Sequence, residues 1–465
     1  MKLIISCVFS LFTLTSLFSQ EISGSWQGIL EIQGTNLEIV FHIEKQANNF
    51  VSTMDSPTQG AFGIATTKTS FDNDKLQIIV SNLGIFYQAT LKSDSLFGTF
   101  NQNGMPFPLT LVRTEKKTQL RPQEPKEPYP YKVEEVVFTN LKEKIDLSAT
   151  LTLPKEKEKS PAVVLIAGSG PNDRDETVFG HKPFWVLADY LTRNGIAVLR
   201  FDKRGTGESG GEYFTATTQD FADDAEAALN YLKKRREIDT SNLGLIGHSE
   251  GGIIAPIIAA RNNDVKFIVL MAGLGVSGAE LSLAQNQFAF NKTSISEREK
   301  EDLDKILRSI YESVTNWSEY VGSNEERDTL KKELGVLWEN LPQEIQPQVK
   351  KDVFVEKTTS NIASPWFRSF LKTDPLVYLE KVSIPVLAIN GENDTQVEYQ
   401  TNLNKIEAAL KKANNKHYTI KSYPQLNHLF QESTTGELDE YGKIEQTISP
   451  DVLSDITNWI LEQVK

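Results

Sequence analysis

One run near the middle of the chain restricts the possible folds more than any other feature. Residues 243–255 read LGLIGHSEGGIIA: a short apolar strand, a serine between two glycines, and a helix of small and apolar residues. Gly247 and Gly251 lie two positions either side of Ser249, where a sharp turn leaves no room for a Cβ. The run therefore predicts a strand–turn–helix that holds the Ser249 hydroxyl at the top of a sheet, available as a nucleophile.

The second part of the chain has the pattern of a parallel sheet. Near-continuous apolar strands are predicted at 162–166, 197–201, 243–246, 267–271, 386–389 and 417–420, with helical stretches between them. Such alternation is typical of an α/β domain with helices on both faces of the sheet, here at 132–465. The rhythm breaks after Met271, so we predict a helical insertion at about 276–375. Within it, Ser296–Glu299 has the pattern of a capping box, and the insertion is predicted to lie over the edge of the sheet where ligands bind.

The first part of the chain is organised differently. Residues 20–114 alternate apolar and polar positions in short runs, which predicts a small antiparallel β domain, either a barrel or a sandwich. Residues 115–131 are rich in proline and charge and are predicted to be a linker. Residues 1–19 fit a secretory signal peptide, which predicts a secreted or periplasmic bacterial protein. A membrane anchor is the alternative, although the apolar stretch is short for a span.

Composition limits the possible partners. The formal net charge of −13 argues against binding to nucleic acid, which requires a basic surface, and against adhesion to anionic membranes. The only cysteine, Cys7, lies in the predicted signal peptide, so the mature chain has no cysteine nucleophile or disulfide. No group of residues has metal-ligand spacing, and no cofactor is expected.

An acid and a base that could activate Ser249 follow it in the chain. Asp394 comes just after the predicted strand 386–389, where a carboxylate can orient a histidine, and Glu392 and Glu398 are competitors in the same loop. His428 follows the last predicted strand, in a loop that can return to the turn at Ser249. The other histidines are assigned no catalytic role: His42 lies in the β domain, His181 suits a cap or the surface, His248 is structural, and His417 begins a strand.

Stabilisation of a developing oxyanion requires two backbone N–H donors. Glu250, the residue after Ser249, supplies one, and the loop after strand 162–166 supplies the other from Ser169 or Gly170. That glycine loop lacks the Lys-Ser/Thr ending of a phosphate-binding loop. Trp366 and Phe367, near the end of the insertion, are candidates for an apolar substrate pocket, with packing inside the insertion as the alternative.

With these residues assembled, the chain from about Tyr131 onward resembles the α/β-hydrolase superfamily. It looks most similar to bacterial secreted esterases of the serine-aminopeptidase-like or dienelactone-hydrolase-like branch. The motifs AGSGPNDRDE, FDKRGTGES, GHSEGG, IPVLAINGENDTQV and YPQLNHLFQ occur in family order. The resemblance implies a triad of Ser249, Asp394 and His428, a carboxylic-ester substrate and a helical cap. One departure concerns the oxyanion loop, where Ala167-Gly168 replaces the His-Gly of many relatives.

The expected function is therefore hydrolysis of small-molecule carboxylic esters through an acyl-enzyme intermediate, without metal or cofactor. A peptidase or amidase with the same triad is one alternative. A secreted binding protein with an inert hydrolase domain is another. No nucleic-acid partner and no stable membrane insertion after signal cleavage are expected, and no particular oligomeric state is predicted.

Overall fold

The computed structural model describes residues 22–32, 35–47, 49–59, 61–102, 104–115, 121–155, 158–317, 322–343, 346 and 350–465. The chain divides into two compact units, Met1–Lys117 and Thr118–Lys465. The predicted signal peptide at 1–19, including Cys7, lies outside the described residues. Among the described residues, no helix combines the length and apolar character that crossing a bilayer requires.

The first unit contains a closed antiparallel barrel. Its strands are β1 (Gly24–Ile32), β2 (Thr35–Gln46), β3 (Asn49–Ser56), β4 (Ala61–Ala65), β5 (Lys68–Asp72), β6 (Lys75–Val80), β7 (Ile85–Lys92), β8 (Ser95–Gln102) and β9 (Met105–Thr114). The order β2-β1-β9-β8-β7-β6-β5-β3 closes because β3 also pairs with β2, and β4 branches from β3. Alternating side chains face inward, so Trp26, Phe41 and Tyr87 share one apolar core. Of the two predicted architectures, the barrel is the one observed.

The second unit is built on an eight-stranded mixed sheet. Its strands are β10 (Lys132–Asn140), β11 (Ile145–Leu153), β12 (Ser160–Ile166), β13 (Ala197–Phe201), β14 (Ile238–His248), β15 (Val265–Met271), β16 (Val386–Gly391) and β17 (Tyr418–Tyr423). The order is β10-β11-β13-β12-β14-β15-β16-β17, parallel from β13 to β17. Every residue of β12, β13 and β16 is buried, which explains their continuous apolar sequence. The sequence reading did not assign the antiparallel strands β10 and β11.

Helices cover both faces of this sheet. They are α1 (Pro183–Arg193), α2 (Thr218–Leu232), α3 (Gly251–Ala259), α4 (Gly278–Phe290), α5 (Glu297–Thr315), α6 (Asn324–Asn340), α7 (Lys351–Ile362), α8 (Pro365–Lys372), α9 (Leu376–Leu379), α10 (Tyr399–Lys412), α11 (Leu438–Tyr441) and α12 (Pro450–Gln463). Helices α1 and α12 contribute to one apolar core, whereas α2, α3 and α10 contribute to the other. The predicted architecture, a mostly parallel sheet flanked by helices after a small antiparallel β domain, is confirmed.

Helices α4 to α8 lie between β15 and β16, where the sequence predicts the insertion, and we call them the cap. They share an apolar core of their own, which includes Leu303, Ile310 and Leu334. The capping box is present: the Glu299 carboxylate accepts the Ser296 N–H at 2.8 Å, and the Ser296 hydroxyl accepts the Glu299 N–H. This pair begins α5 at the expected position.

The segment predicted as a linker makes hydrogen bonds to distant residues over its described part. The Arg121 guanidinium donates to the carbonyls of Gly180 and Ile444, both at 3.0 Å. Farther along, the Tyr131 hydroxyl donates to Asp189 on α1. Residues 121–131 are therefore held within the second unit, because their side chains form hydrogen bonds with residues that are distant in sequence.

Candidate active site

Ser249 lies in the sharp turn between β14 and α3. Its φ of 53° is in the left-handed region, which a serine adopts only when the surrounding backbone enforces it. A Cβ at Gly247 would lie 2.0 Å from the Gly251 carbonyl oxygen, and one at Gly251 would lie 2.0 Å from that of Ile166. The backbones of β12, β14 and α3 can pack this closely only with glycine at both positions.

Asp394 and His428 come together at the carboxyl ends of the neighbouring strands β16 and β17. The His428 Nδ1 lies 2.7 Å from Asp394 Oδ2, and the Asp394 side chain is fully buried. Asp394 Oδ1 accepts the N–H groups of Gln396 and Val397, each at 2.8 Å. Because a carboxylate only accepts, His428 Nδ1 carries the proton and Nε2 is left as an acceptor.

The competing carboxylates have other roles. Glu392 is exposed and accepts from the Ser422 hydroxyl at 2.7 Å. Glu398 caps α10, where its carboxylate accepts the N–H groups of Gln400 and Thr401. Of the three candidates in this loop, the structure pairs Asp394 with His428.

The His428 loop is joined to the turn at Ser249 by the preceding residue, His248. The His248 Nε2 lies 3.0 Å from the His428 carbonyl oxygen, and the centroids of the two rings are 4.8 Å apart. The three residues predicted as a triad therefore lie in one region, although they are separated by up to 179 positions in the chain.

The loop after β12 packs against the same turn. A Cβ at Gly168 would lie 3.1 Å from the Ser249 Cβ. The Gly168 N–H donates to Glu176 Oε1 at 2.7 Å, and its carbonyl accepts from Lys203 Nζ at 2.5 Å. Within the described part of the chain, the backbone N–H groups of Ser169 and Glu250 have no acceptor, whereas the Gly170 N–H bonds the Tyr213 hydroxyl. Ser169 and Glu250 are thus available as oxyanion donors, and the choice between Ser169 and Gly170 stays a prediction.

Comparison with known proteins identifies the family. A sequence profile described as "Serine aminopeptidase, S33" matches residues 184–433, which is more than half of the 465-residue chain. The chain belongs to this family. The matched region begins in α1 and includes Ser249, Asp394 and His428, and the resemblance to the α/β-hydrolases is confirmed.

Similarity to individual proteins is more distant. The chain is 27% identical over 321 residues to Esterase EstD of Thermotoga maritima, which covers 68% of this chain and 66% of EstD. It is 34% identical over 68 residues to the uncharacterized protein YfhR of Salmonella typhimurium, which covers 15% of this chain and 22% of YfhR. The chain thus spans just under two thirds of EstD and less than a quarter of YfhR.

Solved structures resemble part of the chain at low sequence identity. The Pyrococcus furiosus esterase Pf2001 is 14% identical, with a TM-score of 0.43, and the match covers 76% of this chain and 100% of that one. A hypothetical protein, PA2218 of Pseudomonas aeruginosa, is 19% identical with a TM-score of 0.44, covering 75% and 98%.

Four titratable side chains are buried around the turn of this S33 family member: Glu176, Lys203, His248 and Glu250. The sequence predicts a part in catalysis for only one of them, Glu250, through its backbone N–H, and a structural role for His248. Glu176 and Lys203 each follow a buried strand of the sheet, in the runs NDRDE and DKRG. A charged residue after a buried strand is the signal that could have indicated a role for them in the site.

Glu250 connects the cap to the sheet domain, and Lys203 lies beside it. Glu250 Oε1 accepts from the Trp366 Nε1–H of α8 at 3.0 Å and from the Thr218 hydroxyl of α2 at 2.9 Å. Lys203 Nζ lies 3.7 Å from Glu250 Oε2. Burial lowers the pKa of Lys203 below its ordinary value, although Glu250 and Glu176 oppose that shift.

The two residues proposed for the substrate pocket have different surroundings. Trp366 packs beside Phe370, with ring centroids 5.7 Å apart, and bonds Glu250 next to the turn. Phe367 packs against the apolar core of the cap, near Tyr311. Phe367 thus has the packing role that was its alternative, and a pocket role for Trp366 stays a prediction.

His181 is not the cap or surface residue that the sequence suggested. It is fully buried, with Nδ1 2.9 Å from the Thr447 hydroxyl and Nε2 2.9 Å from the Tyr441 carbonyl. Burial, reinforced by the nearby Arg121 cation, lowers the pKa of His181 to about 4. His181 is therefore a neutral structural histidine.

The run NDRDE also contains internal ion pairs. Arg174 donates to both oxygens of Asp202 and bonds Glu135 and Glu208, so it ties the loop after β12 to the loop after β13. Among the described residues, no group of three or more His, Cys, Asp or Glu side chains is arranged to hold a metal ion.

Proposed function

We propose that this S33 family member is a serine esterase that cleaves carboxylic esters of small molecules. The observation that carries the proposal is the buried Asp394–His428 pair beside a serine in a strained turn. The name of the relative EstD, an esterase, supports the choice of an ester substrate. The free backbone N–H groups of Glu250 and Ser169 supply the oxyanion donors that acyl transfer requires in addition.

The reaction follows from this arrangement. His428 Nε2 removes the Ser249 proton as Oγ attacks the ester carbonyl, while Asp394 holds the ring and stabilises its charged form. The backbone donors stabilise the tetrahedral oxyanion. When that intermediate collapses, the alcohol leaves with the proton from His428 and Ser249 carries the acyl group. Water, deprotonated by His428, then attacks the acyl-enzyme and releases the acid and free Ser249.

The family description gives one reason for a second candidate, a serine aminopeptidase that uses the same triad. The chemistry differs only in the leaving group, because an amine must be protonated by His428 before it departs. Turnover of matched ester and aminoacyl-anilide substrates with the same acyl group distinguishes the two. Faster anilide hydrolysis would favour the peptidase.

Replacement of Ser249 by alanine tests the proposal. Wild-type enzyme is expected to hydrolyse a short p-nitrophenyl ester and to react covalently with a fluorophosphonate probe. Ser249→Ala should lose roughly 10⁶-fold in kcat, or fall below detection, and should not react with the probe. The control is Ser241→Ala, an exposed serine on the same strand, which should keep both properties.

Two outcomes would contradict the proposal. Labelling of the Ser249→Ala protein would place the nucleophile elsewhere. Absence of labelling in the wild type would favour the inert binding protein. The signal peptide at 1–19 and export to the periplasm or medium stay predictions, which N-terminal sequencing of the protein recovered from each compartment would test.

A further inference from the structure

Glu176 connects two parts of the candidate site. Its Oε1 accepts the Gly168 N–H at 2.7 Å and lies 3.0 Å from His248 Nδ1, while Oε2 has no hydrogen-bond partner and no access to solvent. Glu176 has a φ of 53°, a left-handed conformation that is unfavourable for glutamate. The surrounding structure therefore holds this carboxylate at a specific place, between the oxyanion loop and the turn at Ser249.

His248 faces an acceptor at each ring nitrogen. Nδ1 lies 3.0 Å from the Glu176 carboxylate, and Nε2 lies 3.0 Å from the His428 carbonyl oxygen. A neutral imidazole carries only one N–H, so it can satisfy one of these contacts, whereas an imidazolium satisfies both. The geometry alone therefore requires a proton on each nitrogen, or one shared with Glu176.

The charges around His248 favour the cation. Burial lowers its pKa, but the charge and hydrogen bond of Glu176, the His428 carbonyl and the more distant Asp394 charge outweigh burial and raise the pKa above its ordinary value. The other titratable groups nearby are the His428 ring and the Lys203–Glu250 pair. With His248 protonated, two buried cations, His248 and Lys203, lie near the carboxylates of Glu176 and Glu250. Without that proton, Lys203 is left as one cation near these two carboxylates.

We infer that His248 and Glu176 form a positioning pair, with His248 as an imidazolium, that fixes the oxyanion loop and the His428 loop against the nucleophile. This inference rests on the proposed esterase function. The pair acts on neither substrate nor reacting atoms. It holds Gly168, the residue before the Ser169 donor, through its N–H, and it holds His428 through its carbonyl.

Loss of the His248 proton at high pH removes this connection. The neutral ring keeps its proton on Nδ1, beside the Glu176 carboxylate, so Nε2 presents a lone pair to the His428 carbonyl oxygen and that contact becomes repulsive. The His428 loop then loses its anchor to the turn at Ser249, while the Asp394–His428 pair stays intact. The kcat of the wild type should therefore decrease on the alkaline side, with KM little changed, because the base is no longer held against the nucleophile in the transition state.

The first test is the pH profile of Glu176→Gln. Glutamine keeps an oxygen for the Gly168 N–H but removes the charge that stabilises the imidazolium. The alkaline decrease in kcat should move to lower pH by about one unit or more. Glu392→Gln, an exposed carboxylate in the Asp394 loop, should leave the profile unmoved. A merely structural Glu176 would lower kcat equally at all pH values, and an unshifted profile in Glu176→Gln would overturn the inference.

The second test observes the proton directly. The chain has five histidines, so enzyme labelled with nitrogen-15 histidine gives a small set of ring signals, and His248→Gln identifies those of His248. Near neutral pH both His248 nitrogens should carry a proton in the wild type, and only one in Glu176→Gln. His181 is the internal reference for a neutral buried ring. A neutral His248 in the wild type would contradict the inference.

The two proposals fail in different ways. If the wild type neither hydrolyses esters nor reacts with the fluorophosphonate, the esterase proposal fails, while the nitrogen-15 spectrum still reports the charge of His248. If the wild type is active but the profile of Glu176→Gln does not move, only the positioning pair is excluded.

Discussion

His248 and His181 are both buried, and each contacts a backbone carbonyl in the segment after β17, yet their pKa values shift in opposite directions. The difference lies at Nδ1, where His248 faces the Glu176 carboxylate and His181 faces the Thr447 hydroxyl. Burial lowers both pKa values, and the Arg121 cation lowers that of His181 further, whereas at His248 the Glu176 carboxylate is the main group that reverses the effect. A buried histidine without a carboxylate partner is therefore neutral and structural, and a functional role requires a particular partner.

His428 extends the comparison to a third histidine. Its Nδ1 also faces a carboxylate, Asp394, but the far side of its ring has no protein acceptor among the described residues. In His248 both nitrogens are occupied, so that ring can only hold other groups in place. The number of nitrogens left unoccupied thus separates a candidate base from a positioning residue.

Among the variants that change a partner of one of these three histidines, the largest expected effect comes from Asp394, the partner of His428. Asp394→Asn places an amide beside Nδ1, and an amide donor there stabilises the wrong tautomer of the ring. We expect kcat for a p-nitrophenyl ester to fall about 10⁴-fold while the fold is kept. Asp439→Asn, an exposed aspartate paired with Lys443, is the control and should retain activity. A loss below tenfold in Asp394→Asn would contradict the role of this carboxylate.

A smaller effect concerns the acid stability that His181 imposes. Its pKa is about 4 in the folded protein and near 6.5 when unfolded, so the unfolded chain binds the proton first. The free energy of unfolding should therefore decrease by roughly 3 kcal/mol as the pH falls from 6.5 to 4. His248 has the opposite sign, because its raised pKa contributes stability below pH 6.5 that is lost as the pH rises through the folded value.

Urea denaturation of wild type and His181→Gln across this pH range measures the effect. The stability difference between them should change with pH in the acidic range, since glutamine cannot be protonated. A difference that is independent of pH would show that His181 does not resist protonation, and the contrast with His248 would be lost.

The smallest expected effect comes from Thr447→Val. The valine removes the hydroxyl that faces His181 Nδ1 and leaves this buried ring nitrogen without a partner, which should lower the free energy of unfolding by about 1–3 kcal/mol. Activity should be unchanged, because His181 only stabilises the structure. Thr434→Val, at an exposed site, provides the matched control for stability. A marked fall in kcat in Thr447→Val would mean that His181 also influences the site.

The sequence was most informative where local constraints determine structure. Glycine spacing around Ser249 and the apolar strands predicted the turn and the parallel sheet, because a close backbone approach and full burial each restrict the residue type. Barrel closure was not predictable, since a barrel and a sandwich share the same alternation and differ only in which strands pair. Strand β11 was not predicted either. Its seven residues from Leu147 to Leu153 are buried, and it pairs antiparallel with β13, which comes later in the chain.

Long-range contacts explain what was missed in the candidate site. His181 was assigned to the surface because its partners, Tyr441 and Thr447, lie about 260 positions away. Glu176 was assigned no role for the same reason, since its partner His248 is 72 positions away. Residues whose role depends on distant partners carry no local pattern, whereas Asp394 and His428 follow strands whose ends must meet at one edge.

The closure of the barrel in the first unit has a consequence for how that unit opens. Strands β7 and β8 are joined by eight residue pairs, whereas β3 and β5 share only one, between Phe50 and Thr69. Side chains reinforce this joint: the Ser52 hydroxyl lies 2.6 Å from that of Thr69, and the Phe50 and Phe71 rings meet edge to face. Local opening should begin there, so amide hydrogens at this joint should exchange with solvent before those of β7 and β8. The barrel is in effect a continuous sheet that is closed between β3 and β5 by one residue pair and a few side-chain contacts.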